Sequence, residues 1–317
     1  MSTELIIVMY HYVRDRDPRF PNMKARTVEQ FDRQLDHIAA NYHVVSFEEV
    51  IAAIAGKNEL PPRACWLTFD DGFVDHFEIV FPRLQARGWK GAFYAPAGII
   101  SGKILDVHKM HFVYACTPIE KVVDDIREFV EANQSGCDMV FEACWDTYAR
   151  DNYLDDAFVV FAKVMMQNAL PQPYRSQLAS ELFAKYVTKD EIGFAAELYM
   201  SLAQMKLMAS LGHHFGNHGL KHEWLRTMTD SGVAEDVFWG AYFLSRIYEA
   251  PFLWSKDGYE APCWGMCYAS NEYDQRAVDA VQKFGGCYGL TANVRVADLA
   301  KDSPFELPRL DTIHLPA

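Results

Sequence analysis

A chain of 317 residues, half of them hydrophobic and 23% charged, can bury a substantial core, which excludes a disordered protein. The formal charge of −13 argues against nucleic acid and anionic membrane surfaces as partners. Seven cysteines, an odd number scattered along a chain of ordinary size, read as reduced thiols and not as a disulfide framework. The start, Met1-Ser2-Thr3-Glu4-Leu5, carries no basic segment, and the apolar run Leu5 to Met9 is too short for a signal peptide or a membrane span. A soluble, cytoplasmic protein is expected.

Leu5 to Met9 is a β-branched run of strand length that leads into Tyr10-His11-Tyr12. Thr27-Val28-Glu29-Gln30 is a capping box, and apolar residues at 28, 31, 35 and 38 follow with helical spacing. His43-Val44-Val45 predicts a short strand; Ser46-Phe47-Glu48-Glu49 caps a second helix, which ends at Gly56. Cys65 to Phe69 is a short apolar run closed by Asp70-Asp71-Gly72, the way a buried strand of a parallel sheet ends. Apolar residues at 73, 74, 77, 80, 81 and 84 predict a helix that Pro82 kinks or restarts and Gly88 closes. Gly91 to Ala95 is the next strand. From residue 105 to 211 the period is helical and turn signals are sparse, which predicts a helical insertion. Its methionines, Met165, Met166, Met200, Met205 and Met208, read as core packing. Beyond it, residues 230–249 predict a helix, and 259–265 a strand ending in a turn. A helix over 273–284 is stopped by Gly285-Gly286, then come strands at 287–291 and 306–311. The alternation of strand and helix points to a parallel α/β arrangement.

Two groups of residues carry possible chemistry. Asp70 and Asp71 are adjacent carboxylates at a strand end, where repulsion is relieved if one binds a cation and the other is left to act as a base. The competing reading is a plain Asp-Gly turn. His218 and His222 stand four apart; on a helical turn both imidazoles would share one face, and with one Asp they make a two-histidine, one-carboxylate set. His213 and His214 compete as ligands.

Thr68-Phe69-Asp70-Asp71-Gly72 resembles the first motif of the polysaccharide deacetylases, carbohydrate esterase family 4. Gly216-Asn217-His218-Gly219-Leu220-Lys221-His222 is similar to their second, His-Ser/Thr-x-x-His. The resemblance covers residues 5–100 and 210–315 and leaves the insertion unmatched. It implies a distorted (β/α) barrel over 1–317, as a single domain interrupted at 105–211, with the site at the carboxyl ends of the strands. By the same resemblance Asp71, His218 and His222 would hold a divalent metal, zinc first with Co2+, Mn2+ or Ni2+ as alternatives, and Asp70 would be the general base. Met9-Tyr10-His11-Tyr12-Val13 is similar to a circularly permuted subgroup, which would make His11 the acid that protonates the leaving amine, with a buried histidine bonded to backbone the equal alternative; His314 is the competing candidate.

The third motif, Arg-x-Pro-Tyr-Gly, is matched only by Pro262-Cys263-Trp264-Gly265, with Glu260 where the Arg would stand. Arg309 is the replacement expected to orient Asp70, and a backbone N–H near Cys263 or Trp264 is expected at the oxyanion. Tyr10, Tyr12, Phe73 and Trp264 are candidates to stack on a sugar ring, with core packing the equal alternative. The second motif's Ser/Thr is Gly219, so a hydrogen bond that would steady the histidine loop is expected to be missing. Removal of an N-acetyl group from a polysaccharide, lipid-linked or nucleotide-linked amino sugar is the implied reaction. Hydrolysis of a small cyclic amide or ureide is the rival, and a non-catalytic carbohydrate-binding protein the rival from another class.

Overall fold

The computed structural model describes residues 3–152, 155–250 and 263–316. The chain divides into two compact units, one of Met1–Asp15, Ala25–Ser101 and Ala196–Ala317, the other of Arg16–Lys24 and Gly102–Ala195.

Among its described residues the first unit holds nine strands: β1 Glu4–Tyr10, β2 His43–Val44, β3 Ala64–Asp70, β4 Ala92–Ala95, β5 His214–Asn217, β6 Trp264–Cys267, β7 Gly286–Leu290, β8 Ala297–Asp298 and β9 Leu310–Asp311. Their order is β7-β6-β5-β4-β3-β1-β8, with β2 beside the start of β3 and β9 beside the end of β1. Every described pairing between these strands is parallel except β1 with β8, so the sheet curls as an incomplete (β/α) barrel. Helices return the chain between strands where the caps predicted them. Thr27 and Ser46 close capping boxes on the helices Val28–Asn41 and Phe47–Ile54. The helix expected after Gly72 starts as a π-helical turn, His76–Val80, and continues as an α-helix over Phe81–Ala86, with Pro82 just past the change of helix type.

Side-chain alternation sorts the sheet into two faces. On one, Tyr10, Phe69, Phe93 and Phe215 lie in register across β1, β3, β4 and β5 and stack with ring centroids 5.3, 4.9 and 5.6 Å apart. On the other, Leu5, Ile7, Trp66, Tyr94, Cys267, Tyr288 and Leu290 fill the barrel interior. Thr68 and Asp70 continue the interior face toward the carboxyl end of β3.

Three parts of this sheet differ from the sequence expectation, the first being the strand expected over 306–311, of which only Leu310–Asp311 forms. A strand begins at Trp264 and runs to Cys267 where a turn was expected at Gly265; residues 259–262 lie outside the described residues. β8 had no sequence signal, being two residues long.

The second unit is helical among its described residues. Asp106–Cys116, Ile119–Ala132, Phe141–Tyr148, Ala157–Val164 and Tyr174–Tyr186 surround a core that includes Met110, Val122, Ile126, Phe161, Met165, Met166 and Leu182. The methionines do pack as core: Met200, Met205 and Met208, in the first unit, are buried as well. No helix among the described residues is long and apolar enough to cross a membrane.

Candidate active site

In a strand, adjacent residues point to opposite faces, so Asp70 and Asp71 could not both face the interior if β3 continued. The backbone reverses instead. Asp71 has φ +78° and Gly72 φ +70°, consecutive left-handed residues, and the Asp71 N–H is anchored on the Tyr94 carbonyl at 2.8 Å. Aspartate tolerates this region better than most side chains. At 72 only glycine fits, because a Cβ would lie 2.7 Å from Ile99 Cδ1 and 2.8 Å from Ala95 Cβ. The turn therefore presents both carboxylates, each about 99% buried, to the same space.

β5 brings the imidazoles. His218 follows the strand on its interior parity; its Nδ1 lies 2.7 Å from the Cys267 carbonyl and donates to it, which leaves Nε2 as the atom facing Asp71. His222 does not sit on a helical turn. Residues 218–224 are irregular, and His222 adopts φ +59°. The four-residue spacing works through this loop. His218 Nε2 is 3.3 Å and His222 Nε2 3.4 Å from Asp71 Oδ1, and the rings stand at 82° with centroids 5.0 Å apart. One carboxylate oxygen and two imidazole nitrogens thus converge within 4.8 Å of one another, the donor set of a divalent ion with open positions. Burial disfavours a charged His218, but Cys267, Asp71 and Asp70 outweigh it and hold its pKa well above the ordinary histidine range. The field that attracts a proton there attracts a cation equally.

Asp70, His218 and Cys267 form a second converging set. It fits a cation poorly, because a guanidinium already occupies that side. Arg309 donates from Nη1 to Asp70 Oδ1 at 2.9 Å and from Nη2 to Oδ2 at 2.8 Å, a bidentate pair with both side chains 2% exposed. Its fork is itself fixed by Thr68 Oγ1, by the Thr291 carbonyl and by Cys267 Sγ at 3.0 Å. Burial pushes the Asp70 carboxyl up, but Arg309 holds it down to about 2. Asp70 is ionised, oriented and separate from the ligand set.

His11 Nε2 lies 3.9 Å from Asp70 Oδ2, and its side chain is 40% exposed, on the open side of the pair. Its backbone is clamped from behind the Asp-Asp-Gly turn: the buried, neutral His76 donates from Nε2 to the His11 carbonyl, the Val13 N–H reaches Asp75, and Tyr12 stacks on Phe73.

Other expected residues are elsewhere. His314 is exposed on the turn after β9, and no described hydrogen bond or ion pair joins it to Asp70. Tyr10 pairs with Phe69 and packs between it and Phe31, on the face opposite Asp70, so it cannot touch a ligand of this site. His218 Nδ1 sets the level of the site at Cys267, the carboxyl end of β6. Cys263 and Trp264 stand at the other end, about 10 Å away along the strand, and Trp264 is wholly buried. Pro262 lies outside the described residues. His213 accepts from the Gly91 N–H, and His214 stacks on Phe47 and bonds Tyr288; both belong to the amino end of β5. Cys267, counted in the sequence among the reduced thiols, touches both Asp70 and Arg309.

No family model matches the chain. Two curated proteins of Escherichia coli, from strains K12 and O157:H7, each described as poly-beta-1,6-N-acetyl-D-glucosamine N-deacetylase, are 35% identical over 96 residues. That stretch is 29% of this chain, and the match spans 14% of the length of those relatives. Solved structures cover nearly all of it. A Streptococcus pyogenes deacetylase, PplD, in complex with acetate, superposes with TM-score 0.60 at 16% identity over 100% of this chain and 94% of its own. IcaB from Ammonifex degensii gives 0.56 at 16% identity over 97% and 91%, and the BpsB deacetylase domain from Bordetella bronchiseptica 0.52 at 14% over 98% and 96%. The chain has the fold of the polysaccharide deacetylases.

Proposed function

We propose that this protein is a metal-dependent hydrolase that removes the N-acetyl group of an amino sugar and releases acetate. One observation carries the reading: a converging Asp71, His218 and His222 beside a second, Arg-paired carboxylate, at the carboxyl ends of the strands of this fold. Asp71, His218 and His222 would hold the ion, for which zinc suits the two-imidazole, one-carboxylate set best and Co2+, Mn2+ and Ni2+ follow. Bound there, it would supply Lewis acidity toward the acetyl carbonyl and a water ionised near neutral pH.

The chain's own groups do the rest. Asp70 is the general base: both its oxygens are oriented by Arg309, and a carboxylate has lone pairs left to accept a proton from the attacking water. Arg309 takes the part of the missing arginine of the third motif. A base alone would not suffice, since an amide nitrogen leaves only when protonated, and His11, exposed and beside Asp70, is placed to deliver that proton. Tyr12 and Phe73 hold its strand end in place.

The polymer named for the E. coli relatives, poly-β-1,6-N-acetyl-D-glucosamine, is the first substrate to try, with lipid-linked and nucleotide-linked N-acetyl sugars beside it. Seven free cysteines favour a reducing compartment such as the cytoplasm. Acetate release from β-1,6-linked N-acetylglucosamine oligomers and from N-acetyl sugar nucleotides, with and without chelator, tests the reading. Chelator-sensitive release supports it. Bound metal with no release from any N-acylated sugar would leave the ureide hydrolase or a binding protein.

A further inference from the structure

The segment that joins the two histidines has an unusual construction. The backbone N–H and C=O groups of Gly219 and Leu220, and the N–H of Lys221, are satisfied from outside the loop. The Gly219 and Leu220 carbonyls accept from the N–H groups of Ala97 and Gly98 at 2.9 and 2.8 Å, on the loop after β4. The Gly219 N–H donates to Asn217 Oδ1 at 2.7 Å. The Leu220 N–H donates to Asp236 Oδ1 at 2.8 Å, and the Lys221 N–H is a second donor to that carboxylate.

Asp236 comes from the helix Asp230–Tyr248 and is 4% exposed, with no Lys or Arg ion pair among the described residues. Burying a carboxylate without a cation is costly unless backbone donors compensate, and here those donors belong to the histidine loop. Two glycines make room for the arrangement. A Cβ on Gly219, φ +74°, would lie 2.3 Å from Asp236 Oδ2; a Cβ on Gly240 of the helix would lie 1.8 Å from Asn217 Oδ1. The side chain missing at 219 is thus replaced by a carboxylate in the same space.

We propose that Asp236 is a positioning residue for the metal site: it fixes the left-handed turn that aims His222 at Asp71 and so sets metal affinity without touching the ion. The inference rests on the ligand assignment above and extends it to a residue 14 positions beyond His222. With the carboxylate gone, two backbone N–H groups lose their acceptor, and His222, whose φ of +59° is disfavoured, relaxes away from the other two donors.

The test measures the affinity of the purified full chain for Co2+ or Zn2+ alone, by competition with a chromophoric chelator, together with the visible Co2+ spectrum. Asp236→Asn keeps the size but replaces one acceptor by a donor, and Gly219→Ala drives a Cβ into the carboxylate. Each is expected to weaken metal binding about 10–100-fold and to alter the Co2+ spectrum. Glu235→Gln, on the exposed side of the same helix, is expected to bind as wild type. Melting in chelator checks that both variants are folded, and if one is not, the other carries the test. Should His222→Ala lose the metal while Asp236→Asn and Gly219→Ala keep wild-type affinity and spectrum, the role of Asp236 is overturned and the ligand set stands. Should His222→Ala itself bind normally, the ligand assignment fails first.

Discussion

Replacing Arg309 by methionine isolates what the guanidinium does for Asp70. Both partners are 2% exposed, and the pair is bidentate, so the variant strands a carboxylate with no cation in its place. Asp70 sits at about 2 against an ordinary 3.8, which corresponds to about 2–3 kcal/mol in favour of the ionised form even after the burial penalty is met. Breaking a buried pair from one side costs about 3–5 kcal/mol in general, and the loss expected for Arg309→Met falls in that range at pH 7. The pH dependence has a definite sign. In the wild type the folded-state pKa is depressed, so the pair's contribution is complete above about pH 4 and fades as pH falls through about 2. In Arg309→Met the largest opposing charge is gone and only the weaker attractions of His218 and His11 remain, so the carboxyl pKa rises and the gain in stability with rising pH shrinks. The gap between the two proteins therefore widens from pH 3 to pH 7. Urea unfolding in chelator, on wild type, Arg309→Met, Asp70→Asn and the double variant, reads the coupling directly. The double variant is expected to recover at least about 2 kcal/mol of the summed losses. Single losses that simply add, or a cost below about 1 kcal/mol for Arg309→Met, would refute the argument that Asp70 depends on Arg309.

Other outcomes follow from the same geometry. Asp70→Asn is expected to abolish turnover while retaining metal near the wild-type level; His222→Ala is expected to lose both, which metal analysis after desalting will show. His11→Ala should lower kcat about 10²–10⁴-fold with little change in metal content, and His314→Ala should leave both as they are. His214 is buried and its pKa is pushed down to about 3, so it folds neutral and stability is complete above pH 6.5, then lost as pH falls toward 3. That loss amounts to about 2–3 kcal/mol between pH 7.5 and 4.5, and His214→Asn should flatten it; parallel pH profiles in urea would contradict the assignment.

Much of the barrel was legible because its signals are local. Thr27 with Gln30 and Ser46 with Glu49 are complete capping boxes within four residues, and the apolar run ending in Asp70-Asp71-Gly72 states both a buried strand and its end. The converging pair of motifs also pointed to Asp71, His218 and His222. What escaped depends on contacts distant in sequence. Cys267 meets Asp70 across 197 positions, and its role could have been suspected only by counting alternation from a strand start at Trp264. That start was hidden because Pro-Cys-Trp-Gly reads as a turn. The helical turn expected at His218-x-x-x-His222 failed because Ala97, Gly98, Asn217 and Asp236 take the backbone groups a helix would have used. Of the two readings left open for Tyr10, strand parity favours core packing: it shares the face of Phe69, not of Asp70.

Anomalous diffraction at the zinc edge, from crystals of the zinc-loaded protein, bears most directly on the claim that a cation sits among these side chains with Asp70 left over. The account predicts a single strong peak about 2.0–2.2 Å from an Asp71 oxygen and from Nε2 of His218 and His222, with Asp70 still paired to Arg309 and outside bonding distance. A peak bonded to Asp70 and Cys267, or none at this place in zinc-loaded protein, would contradict it.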